Sequence, residues 1–99
     1  MSDELIKAME WLMWQLGMMY TVDEHSSRYI EIYGSESHAV IEYRWQEFIQ
    51  VVISYQSDDD EYNKEKIKLE RWEIKEDEEN EDLLMIEMES ILNYVRNNM

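Results

Sequence analysis

The succession of hydrophobic periods along this chain predicts an α+β fold. An N-terminal helix, an antiparallel meander of four or five strands and a C-terminal helix follow one another, with both helices on one sheet face. Three observations carry that expectation. Apolar residues recur at helical spacing over 5–16 and again over 84–95, the stretch between alternates apolar with polar residues, and only two glycines and no proline interrupt it. No repeat divides the sequence, and 99 residues suit a single domain with one core.

Ser2 precedes Asp3 and Glu4, a capping hydroxyl followed by two acids suited to the positive end of a helix dipole. Leu5, Met9, Leu12 and Leu16 form one stripe that Ile6 and Met13 widen, and Gly17 is expected to stop the helix in the left-handed conformation. Trp11, Trp14 and Met18 fall on a second stripe beside the first, more apolar surface than one sheet face usually covers. MMYTV, the polar DEHSS and RYIEIYG predict a hairpin in which Ile30 and Ile32 oppose Tyr29, Glu31 and Tyr33. After the turn signal GSES, Ala39, Ile41, Tyr43 and Trp45 share one face of a third strand. Ile49, Val51, Ile53 and Tyr55 share a face of the fourth, although the join at Trp45, Gln46 and Glu47 lacks Gly, Asn or Pro. Ile67, Leu69, Trp72 and Ile74 predict a fifth strand with a bulge between Leu69 and Trp72; a helix over 66–75 is the alternative. Asn80 is expected to cap a last helix that runs to about Asn97 and carries Leu84, Met88, Ile91 and Val95 on one stripe.

Composition removes several kinds of chemistry. With 44% hydrophobic residues the chain has enough material for a core, and with no cysteine it has no disulfide, thiolate nucleophile or Cys-ligated metal. Its acidic start, MSDELIK, does not read as a secretory leader, and no apolar run approaches a membrane span, so a cytoplasmic protein is expected. The two glycines, Gly17 and Gly34, cannot build a phosphate-cradling loop. His25 and His38 lie thirteen residues apart beside turns, and the serines sit in turn-forming contexts. SDDDEYNKEKIKLE begins like a calcium loop, but Tyr62 takes the third ligand position and Asn63 replaces the required glycine. These readings predict a non-enzyme without cofactor or metal.

Twenty-four acids against nine bases give a net charge of −15, which disfavours direct binding to nucleic acid or to an anionic membrane face. Thirteen of the acids and five of the bases lie between Asp58 and Asp82, a local charge of −8. Asp23, Glu24, Glu31, Glu36, Glu42 and Glu47 add acids along the strands, where alternate residues stand about 6.8 Å apart, close to the phosphate spacing of a polynucleotide. In size, acidity, lack of cysteine and element order, and in the runs SDDDEYNKEK and KEDEENED, the chain resembles small phage-encoded anti-CRISPR proteins and other DNA-mimicking inhibitors. That resemblance implies a host nucleic-acid-binding protein as partner, such as a CRISPR effector, met in the host cytoplasm. Asp58, Asp59, Asp60, Glu61, Glu76, Asp77, Glu78 and Glu79 are the acids expected to contact it, with Trp11 and Trp14 as apolar anchors. The rival expectation is an adaptor or homodimer that uses the apolar surplus of the first helix.

Overall fold

In the computed structural model, residues 1–26, 28–55 and 66–99 are described. The order is α1 (Asp3–Gly17), β1 (Thr21–Ser26), β2 (Tyr29–Tyr33), β3 (Ser37–Arg44), β4 (Phe48–Tyr55), β5 (Lys66–Glu73) and α2 (Glu81–Asn98). The five strands form one antiparallel sheet in sequence order, as short connections dictate for a meander. Residues 66–73 are therefore strand and not helix. Among the described residues no helix is long and apolar enough to cross a membrane.

One sheet face is buried. Ile30 pairs with Ile41, Ala39 with Ile53, Ile41 with Val51 and Tyr43 with Ile49, so these side chains share a face and meet Leu5, Met9, Leu12 and Leu16 of α1 and Leu84, Met88, Ile91 and Val95 of α2. Both helices thus cover the same side, and the other face of the sheet is open. Ser2 caps α1 by accepting from the Leu5 amide at 3.1 Å, and Asn80 caps α2 by accepting from Leu83 at 3.2 Å.

Three local expectations are corrected. Gly17 is the last residue of α1 rather than a left-handed stop; the chain leaves through Met18 in right-handed geometry, with Met19 and Tyr20 both donating to the Leu16 carbonyl. No bulge interrupts β5, whose pairing with β4 runs unbroken from Glu73 opposite Phe48 to Lys66 opposite Tyr55. An edge strand exposes both faces in part, so Ile67 and Leu69 lie on the open face while Trp72 packs on the helix side, and no shift is needed to reunite them. Trp45 does not continue the buried row of β3. It stands with Gln46 in the β3–β4 turn, 69% exposed, and both have positive φ, 51° and 60°. The Glu47 amide closes that turn on the Arg44 carbonyl at 3.1 Å.

Candidate functional site

The acidic run predicted to contact a partner lies in the β5–α2 connection, where two helix N-termini meet. Ser2, which caps α1, donates its hydroxyl to the Glu78 carbonyl at 2.6 Å and its amide to the Glu76 carbonyl at 2.8 Å. The Met1 ammonium and Arg28 both reach Glu76 Oε1, at 3.1 and 3.2 Å. Glu78 accepts from the Asn80 amide at the start of α2, where the helix dipole favours negative charge. Buried Tyr43 donates to the Ile74 carbonyl at 2.8 Å, and the Ile74 amide donates to the Glu47 carbonyl at 2.9 Å. The backbone of the connection is held from both sides, and the Glu76 and Glu78 carboxylates are bonded in place, while Asp77 and Glu79 are exposed.

Those ties enclose a groove of about 1090 Å³ at the end of the sheet. Its floor is apolar: Met1, Phe48, Ile74, Leu83 and Leu84. Glu76, Asp77, Glu78 and Glu79 line it, joined by Glu47 from the β3–β4 turn, Glu73 from the end of β5 and Glu87 from the second turn of α2. Against these seven carboxylates the lining offers two cations, Lys75 and the Met1 ammonium. Glu47, Glu73, Glu79 and Glu87 form no ion pair among the described residues. Trp45 stands beside the groove, its ring edge-on to Phe48 at 5.6 Å and covered by the Arg44 guanidinium at 4.7 Å. No known family, curated protein or solved structure matches this chain.

The sequence-predicted residues divide. Glu76, Asp77, Glu78 and Glu79 come together in the groove. Asp58, Asp59, Asp60 and Glu61 lie outside the described residues. Neither Trp11 nor Trp14 lines the groove: Trp11 packs partly buried against the core, and Trp14 stands 70% exposed in a shallow depression with Lys7, Glu10 and Glu24. The expected row of strand acids is not a uniform array. Glu24 pairs with Ile30 and so shares the helix-side face, whereas Asp23, Glu31 and Glu42 lie on the open face among basic partners.

Glu31 is the centre of that open-face network. His25 Nε2 meets its Oε1 at 3.0 Å, His38 Nε2 meets Oε2 at 3.0 Å, and the Tyr33 hydroxyl donates to Oε2 at 2.5 Å. The Tyr33 hydrogen bond, with those from the histidines, holds the Glu31 carboxyl below the ordinary carboxylate value, and Glu31 in turn pushes the Tyr33 phenol up to about 12. Both imidazoles are directed at the carboxylate oxygens rather than at a common point. Among the described residues no group of three or more His, Asp or Glu is arranged to hold a metal ion. The two histidines, treated in the sequence as isolated turn residues, act together as a clasp across β1, β2 and β3.

Proposed function

We propose that the protein is a non-enzymatic inhibitor of the anti-CRISPR kind, whose acidic groove replaces nucleic-acid phosphates in a basic site on a host protein. The observation that carries this reading is the set Glu47, Glu73, Glu79 and Glu87, four carboxylates that form no ion pair among the described residues and line one groove with apolar side chains. Like charges brought together oppose folding, and solubility needs no such concentration in one concavity. Lys and Arg side chains match both parts: an aliphatic stem rests on exposed Leu83 at the apolar lining, and the charged end reaches the rim. Trp45 adds an exposed aromatic lip of the type that anchors interfaces and stacks on guanidinium groups. Electrostatic attraction steers the encounter, and these desolvated apolar contacts supply affinity.

Capture on immobilised protein from a bacterial lysate, followed by elution with duplex DNA, tests the reading. The expected result is a basic nucleic-acid-binding protein that DNA displaces and that the Glu73→Lys, Glu79→Lys double variant no longer captures. A partner indifferent to DNA, or retained by that variant, contradicts it. These two acids are preferable to Glu76, whose bonds to Met1 and Arg28 support the fold.

A second reading, an adaptor that binds through α1, is favoured by Trp14 and Met18, which are 70% and 63% exposed. It predicts that Trp14→Ala abolishes capture while the groove variant keeps it.

A further inference from the structure

The outer edge of β5, the strand that ends the sheet, is unpaired among the described residues. The opposite edge, β1, shifts register between Glu24 and Ser26, an irregularity of the kind that discourages strand addition. β5 has no such protection: its eight residues run without a register shift, and Ile67 and Leu69 stand 59% and 49% exposed on the open face. Lysine on an edge ordinarily repels a second strand. Here Lys68 is followed two residues later, on the same face, by Glu70, so charge selects a pairing instead of preventing it.

We propose that β5 pairs antiparallel with β5 of a second copy about a twofold axis at Leu69, joining two sheets into one of ten strands. Residues opposite one another in an antiparallel pair point to the same face, so the alternatives nearest this register place the axis at Lys68 or at Glu70. An axis at Lys68 sets two ammonium groups face to face at its centre, and the pairs of Glu70 with Lys66 that it also forms lie at the first residue of the strand, away from the two Leu69 side chains. An axis at Glu70 sets two carboxylates face to face. Only the axis at Leu69 sets each Lys68 opposite Glu70 of the second copy, twice by symmetry, and it brings the two exposed Leu69 side chains together. α2 lies over β5, tied to it by Trp72 Nε1 donating to Ser90 Oγ at 3.0 Å and Lys68 Nζ donating to Asn98 Oδ1 at 2.8 Å, so the second α2 comes alongside the first. The strand ends that lead into the two grooves then point away from each other.

Sedimentation equilibrium over micromolar to submillimolar concentration tests this pairing with the full chain. The wild type is expected at twice the chain mass. Lys68→Glu and Glu70→Lys are each expected to weaken self-association about tenfold or more, because every cross-strand pair becomes like-charged, with unchanged circular dichroism. Mixing the two variants is expected to restore the double mass, since one copy then presents glutamates at both positions and the other lysines. A wild type that stays at the single mass overturns the proposal. So do single variants that remain dimeric, a mixture that fails to associate, or a dimer that Trp14→Ala disperses in their place.

Discussion

Replacing Gln46 by glycine should stabilise the fold. Trp45 and Gln46 hold φ of 51° and 60°, where a Cβ crowds the following carbonyl oxygen at a cost of about 1–2 kcal/mol for each residue. Glycine escapes that cost but gives the unfolded chain more freedom, which offsets about 0.5–1 kcal/mol of the gain. Gln46 is exposed, so little else is lost. The net effect is a stabilisation of about 0.5–1 kcal/mol, which in a domain this size raises Tm by about 2–8 °C. Thermal melts followed by circular dichroism, with Gln46→Ala as the control that keeps a Cβ, measure it. A glycine variant that melts at or below the wild-type temperature, or an alanine variant that gains as much, refutes the argument that backbone strain is stored in this turn.

Ser2→Ala removes both the α1 cap and the bond to the Glu78 carbonyl, and should lower stability by about 1 kcal/mol, read as a shift in the urea midpoint. Ultraviolet titration of the tyrosines should find one phenol near 12, and Glu31→Gln should return it toward 10.0. A folded value above the unfolded one stabilises fully below about pH 10 and is lost as pH rises through the folded value. The lowered Glu31 carboxyl has the opposite sign: its contribution is present above the ordinary 4.5 and is lost as pH falls through the lowered value. Trp45→Ala should weaken partner binding by about 2 kcal/mol, more than it lowers stability, because the ring touches Phe48 and Arg44 but is 69% exposed. Partner binding should also weaken steadily between about 0.05 and 0.5 M salt, as the screening length shortens from about 14 to about 4 Å.

The elements were legible because each buries one face. Leu5, Met9, Leu12 and Leu16 at helical spacing, and Ile49, Val51 and Ile53 in alternation, reveal the core without knowledge of the partners. The β3–β4 turn was not legible, because a turn built on Trp45 and Gln46 defies the residue preferences that would announce it; tertiary packing of the two flanking strands outweighs the local cost. A five-strand meander already places β5 at the edge, but it does not tell that Ile67 and Leu69 take the open face and Trp72 the helix side, which is why the sequence predicts a bulge between Leu69 and Trp72. Half of the groove could be read from the run at 76–79. Glu47, Glu73 and Glu87 are far apart in sequence and meet because β4–β5 pairing sets Glu73 opposite Phe48, and the Ile74 amide bonds to the Glu47 carbonyl beside the first turns of α2. A signal for the Glu31 clasp did exist: His38 faces Tyr33 across the hairpin, and Asp23 faces Glu31.

Amide spectra of the labelled protein, titrated with an arginine-rich peptide, test the groove most directly. Saturable shifts are expected, centred on Glu47, Phe48, Glu73, Ile74 and Glu87 and on the Trp45 indole, all lost in the Glu73→Lys, Glu79→Lys variant. Shifts of equal size at Glu36, Glu89 and the other exposed acids, unchanged in that variant, would contradict it.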